Sequence, residues 1–82
     1  MSDSNALLHA RRGARYRITG LDRDHVLPER MMALGLREGA LIEIISHSCM
    51  RGPVTVRAGR STVAVGRSMA SHILIEPLEP DS

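Results

Sequence analysis

The 82-residue chain contains no phenylalanine, no tryptophan and no lysine, and it has a single tyrosine, Tyr16, and a single cysteine, Cys49. Without large aromatic rings, a core must be filled by aliphatic and methionine side chains, many of them β-branched, which favours strands over helices. The same lack removes the aromatic platforms on which single-stranded nucleic acids stack. A lone cysteine excludes an intrachain disulfide and any CxxC metal or redox pair. No apolar run approaches the roughly 20 residues of a membrane-spanning helix. The first residues, MSDSNALLHA, lack the apolar stretch of a signal peptide. The expectation is a cytoplasmic chain with no direct membrane insertion.

What is present fits one small domain. The hydrophobic share is 43%, ample for a globular fold. The basic set is eleven arginines, and the formal net charge is +2. Arginine suits bidentate pairing with carboxylates or phosphates. Here the arginines run from Arg11 to Arg67 interspersed with acids. That pattern predicts a solvated mixed-charge surface, with no nucleic-acid partner. A nucleic-acid-binding small barrel remains as an alternative resting on the basic balance alone.

Period-two alternation places Ala14, Tyr16 and Ile18 on one face of a first strand and Arg15, Arg17 and Thr19 on the other. Leu27, Met31 and Leu34 recur at helical spacing, with Pro28 near the start, Gly35 past the end and Asp24 as a cap. Strands follow at 40–46, 54–58, 62–65 and 72–76, the middle two joined as a hairpin across a short Gly-containing turn. Arg67–Ser71 reads as a single turn, and Leu7-Leu8 as an apolar handle folded back on the domain. Residues 1–6 and 78–82 are read as flexible ends around a domain at 7–77. About five short strands and one short α-helix give a mainly-β class, a small barrel whose closure would hide its edges.

The segment Arg30-Met31-Met32-Ala33-Leu34-Gly35-Leu36-Arg37-Glu38-Gly39 resembles the LGL-x-x-G element of FeoA domains. Gly13–Leu21 resembles that family's first strand, Gly52–Arg57 and Thr62–Val65 its central hairpin, and Met69–Ile75 its closing turn and strand. The resemblance runs from about residue 7 to 77. It implies an SH3-like β-barrel and an accessory role in bacterial ferrous iron uptake. The implied partner is a FeoB-type membrane transporter, through its cytosolic GTPase region. The same fold occurs behind the helix-turn-helix of metal-dependent repressors, and nothing in this sequence before the domain reads as one.

Four groups of residues are candidates for function or for holding the fold. Leu34, Gly35, Leu36 and Gly39 are structural: Gly35 ends the helix in the left-handed conformation, and both leucines fall on the core side of the corner. Met32, on the helix face away from Met31, pairs with Met50 as an adaptable apolar docking patch. Arg51 is the arginine best placed to act in trans on a phosphoryl transfer. His47 and Cys49, at i and i+2, are ligands suited to Zn²⁺ or Fe²⁺, with His72, His25 or His9 completing a site within the chain or across a homodimer. No cofactor is required on this reading. No carboxylate–histidine triad stands at helix spacing, so passage of ferrous iron through this chain is not expected. No phosphate-binding loop and no oriented nucleophile are present, and the chain is not expected to be an enzyme.

Overall fold

The computed structural model describes residues 5–47 and 52–78. Five strands form one antiparallel sheet: β1 (Arg15–Leu21), β2 (Leu41–His47), β3 (Val54–Ala58), β4 (Ser61–Val65) and β5 (Ile73–Pro77). Their order is β4-β3-β2-β1-β5. The first four strands therefore neighbour one another in sequence, and β5 returns beside β1. A 3₁₀ turn at Leu7–His9 precedes the sheet, α1 (Pro28–Ala33) lies between β1 and β2, and α2 (Arg67–Ala70) between β4 and β5. This is the mainly-β, SH3-like arrangement that the sequence predicts, with a second short helix where a single turn is expected.

The sheet is open. β4 and β5 are its two edges, so the predicted closure does not occur. Irregular register between Ile18 and Gly20, and again between Ile44 and Ser46, marks bulges in β1 and β2, a device that bends a strand and increases its twist. The outer edge of β5 is partly covered instead, because Ala6 forms a bridge to Leu74. The other edge, β4, is five residues long, and short edges offer little template for further pairing.

The alternation read from the sequence is the alternation of the fold. Tyr16 and Ile18 are buried while Arg15, Arg17 and Thr19 are exposed. Ile42, Ile44, Val54, Val56, Val65, Ile73 and Ile75 join them in one cluster with Leu7, Val26, Met31, Leu36 and Ala70. No polar or charged residue among the described residues is buried. The one tyrosine closes its polar end locally, since the Arg11 amide donates to the Tyr16 hydroxyl oxygen at 2.9 Å. The described arginines face solvent, two of them opposite acids across the ladder: Arg17 with Glu76 at 3.4 Å and Arg57 with Glu43 at 3.3 Å, both directly paired positions. Exposed pairs of this kind contribute at most about 1 kcal/mol each.

The helix corner departs from the predicted pattern. Leu27 is 59% and Leu34 is 38% exposed, and of the three residues at helical spacing only Met31 is fully buried. The reason is the way α1 stops. The Leu36 amide donates to the Met31 carbonyl at 2.8 Å and the Gly35 amide to the Met32 carbonyl at 3.0 Å, with Gly35 at φ +83°. These two bonds form a Schellman motif, in which the residue after the left-handed glycine packs with the residue five positions before it in the last turn. Leu36 and Met31 are those two residues, both at 0% exposure. Leu34 is the C-cap and is turned outward. The start also differs, because the helix begins at Pro28 with Leu27 as N-cap and no side-chain cap. Asp24 is not the cap; its amide donates to Asp22 Oδ1 at 3.1 Å in the preceding turn. Gly39, at φ +92°, lets its amide reach the Ile18 carbonyl at 2.7 Å and so delivers the chain into β2.

Candidate functional site

Two surface features carry chemistry. The first surrounds the end of α1. A corner ended by a glycine leaves Met32 58% exposed, and β2 opens with Leu41 at 55%. An open groove runs here, lined by Met32, Gly35, Arg37, Ala40, Leu41 and Ala58. With Leu27 and Leu34 also exposed on the same stretch, the α1 corner holds most of the large apolar side chains that the described residues present to solvent. Met32 therefore lies on an exposed face as the sequence predicts. Its expected companion Met50 lies outside the described residues, as do Cys49 and Arg51. The apolar neighbour brought into the Met32 groove is Leu41.

The second feature lies at the opposite ends of β1 and β5. Asp22 follows the last residue of β1 and His72 precedes the first of β5, with Leu21 and Ile73 paired in the ladder. The Asp22 amide continues the ladder by donating to the His72 carbonyl at 3.0 Å. The amides of His25 and Val26 both donate to the Asp22 carbonyl at 2.9 Å, closing a tight turn that buried Val26 anchors. The turn brings His25 Nδ1 to 3.0 Å and the strand pairing brings His72 Nδ1 to 3.2 Å from the same oxygen, Asp22 Oδ2. The two imidazoles stack with centroids 4.0 Å apart and planes 2° from parallel. The Asp24 backbone amide and then the hydrogen bond from His25, helped by the charges of His25 and His72, hold the Asp22 carboxyl below the usual carboxylate range against an opposing effect of burial. This is a carboxylate–histidine triad that no helical spacing announces. His25 and His72, named from the sequence as ligands to complete a site with His47 and Cys49, meet each other and Asp22 instead.

His47 occupies a different place. Its Nε2 donates to the Leu8 carbonyl at 2.7 Å, since a carbonyl oxygen only accepts. The bond ties the end of β2 to the N-terminal 3₁₀ turn, whose Leu7 is fully buried. A spatial signal for the triad was available only as a pairing of strands distant in sequence.

The sequence profile of the FeoA domain matches residues 6–77. Among solved structures, the fold is similar to a crystal structure of an iron uptake regulatory protein (FeoA), at 20% identity and TM-score 0.76, covering 89% of this chain and 94% of that one. It is similar to the FeoA protein from Chlorobium tepidum, at 23% identity and TM-score 0.80, covering 94% and 73%. It is also similar to ScaR with bound Zn²⁺, at 15% identity and TM-score 0.78, where 89% of this chain spans 36% of the other. No curated protein sequence matches at a significant level. No helix among the described residues is long and apolar enough to cross a membrane.

Proposed function

Because this chain belongs to the FeoA family of small accessory proteins in ferrous iron transport, we propose that it docks on the cytosolic GTPase region of a FeoB-type transporter and modulates that transporter's assembly or GTP turnover. The observation that carries the docking surface is the open groove lined by exposed Met32 and Leu41, with Leu27 and Leu34 also exposed on the same segment of chain. Isolated exposed leucines need no explanation, whereas two large exposed apolar side chains lining one open groove mark a place where another surface can bury them. Methionine at the centre of such a surface adapts its shape to a partner. Arg37 lines the same groove and offers a charge-assisted hydrogen bond to an acidic group on the partner's rim. No nucleotide is handled by this chain itself on this reading.

The test is binding of the purified chain to its cognate transporter, as the full-length protein and as the isolated GTPase region, with and without a GTP analogue. Met32→Asp and Leu41→Asp should each weaken binding by more than about tenfold, the penalty of truncating or charging an interface anchor. Both positions are exposed, so the unfolding midpoints should stay within a few degrees of the parent. Unchanged binding by both variants would remove the α1 corner from the interface. No saturable binding in any nucleotide state would remove the transporter as the partner.

A further inference from the structure

We propose that Asp22, His25 and His72 form a binding site for a divalent first-row transition-metal ion, held by two imidazole nitrogens and one carboxylate oxygen with its remaining positions open to water. One donor atom from each residue lies within 4.8 Å of the other two. The two nitrogen-to-oxygen edges of that triangle are 3.0 and 3.2 Å. Donors that sit 2.0–2.2 Å from a common ion are roughly 3–3.5 Å apart, so both nitrogen-to-oxygen edges already have the length of an edge in one small cation's coordination face. Two nitrogens and one oxygen suit Zn²⁺, Fe²⁺ and their neighbours; Mg²⁺ and Ca²⁺ take oxygen ligands.

The backbone fixes this convergence. Asp22 and His72 extend the β1–β5 ladder by one further pair, and His25 is clasped to Asp22 by a closed turn. Asp22 Oδ1 is already oriented by the Asp24 amide, which leaves Oδ2 to face the imidazoles. The chain carries eleven arginines, yet among the described residues the ion-pair partners of this carboxylate are the two histidines. A carboxylate accepts, so in the metal-free protein His25 Nδ1 carries the proton it shares with Oδ2, and His72 Nδ1 stands 3.2 Å from the same oxygen. Metal binding at Nδ1 requires a proton held there to move through solvent to Nε2, which leaves a neutral ring with its Nδ1 lone pair free. The rings then have to fan apart from their parallel stack so that both lone pairs point at one centre. Side-chain exposures of 55% for His25 and 29% for His72 give them room to do so.

The inference concerns the chain alone and is independent of transporter docking. Calorimetric titration of the chelator-treated full chain with Zn²⁺, followed in parallel by long-range proton–nitrogen NMR of the imidazoles, provides the test. The expected result is one ion per chain, no displacement by millimolar Mg²⁺, and large shifts of the His25 and His72 ring nitrogens with His9 unmoved. His25→Ala and His72→Ala should each weaken binding by more than about tenfold, as loss of a ligand or of its orienting partner does. His25→Ala, whose side chain is exposed, should keep the metal-free unfolding midpoint. Where His72→Ala lowers that midpoint, His72→Gln serves in its place, with the same loss of binding expected. Three results would overturn the proposal: no binding at submillimolar Zn²⁺, affinity unchanged in the His25 and His72 variants, or ring shifts confined to His47 with loss of binding in Cys49→Ala.

Discussion

Leu36→Ala should lower the thermal unfolding midpoint by about 10 °C or more. Truncating a fully buried leucine removes its transfer free energy and leaves a cavity, together about 2–5 kcal/mol. In a domain of this size each kcal/mol shifts the midpoint by about 4–8 °C. Leu36 sits at 0% exposure among the aliphatic side chains of the core. It is also the residue that closes the Schellman motif, its amide bonded to Met31. Little can collapse into the space, because the helix it secures is six residues long and is held to the core by buried Met31. The comparison that gives this prediction its content is Leu34→Ala. Leu34 has the same side chain two positions earlier in the same motif, but it is 38% exposed, and its truncation should cost under about 1 kcal/mol, as surface changes do. Thermal unfolding of the two variants side by side measures both. Equal losses would mean that the corner does not orient the two leucines as described.

Leu7→Ala should have the second large effect, again about 2–5 kcal/mol, and of a different spatial character. Leu7 is the fully buried residue of the N-terminal 3₁₀ turn. That turn is held in place by three further contacts: the bridge between Ala6 and Leu74, packing against β5 and α2, and the bond from His47 Nε2 to the Leu8 carbonyl. Truncation should release the segment ahead of global unfolding, because its other attachments are few: one bridge, one side-chain bond and the packing on β5 and α2. Amide exchange should therefore rise first at His9 and Ala10, whose amides bond to the Ala6 and Leu7 carbonyls, and at the Ala6–Leu74 bridge. His47→Gln, which loses the ring bond but keeps polarity, should cost about 1 kcal/mol and raise exchange at the same sites. A stability loss in His47→Gln measured in chelator-treated protein would mark His47 as a positioning residue for the N-terminal turn. A loss that appears only with added metal would return it to the ligand role expected from its spacing with Cys49.

The alternation of Tyr16 and Ile18 with three exposed neighbours, the hairpin of β3 and β4, and the short helix ended by glycine could all be read along the chain. Each depends on periodicity or turn chemistry within a few residues. Even the exposure of Met32 followed from helical geometry. The fold departs from these local patterns where local geometry meets a non-local choice. Helical spacing placed Leu27, Met31 and Leu34 on one face, but the motif that ends α1 sends Leu36 inward and makes Leu34 a cap. Only the cap geometry, not the spacing, decides between them. Closure of the sheet was inferred from the hazard of exposed edges, and the chain covers one of those edges with Ala6 instead.

The two surfaces differ in the same way. A mainly-β domain with an aliphatic core, an arginine-rich solvated exterior and the glycine corner that exposes Met32 all follow from the order of residues. That Asp22 and His25 stand three apart before the helix follows from it too. The tertiary structure alone decided that His72, fifty positions later than Asp22, would complete their group. The physical reason is that β5 passes over three intervening strands to pair with β1, and its register sets residue 72 opposite residue 22. A one-residue slip in that register would turn His72 to the other face of the sheet. Side-chain donors converge through strand register and a clasped turn, and neither is encoded in the spacing of the histidines along the chain.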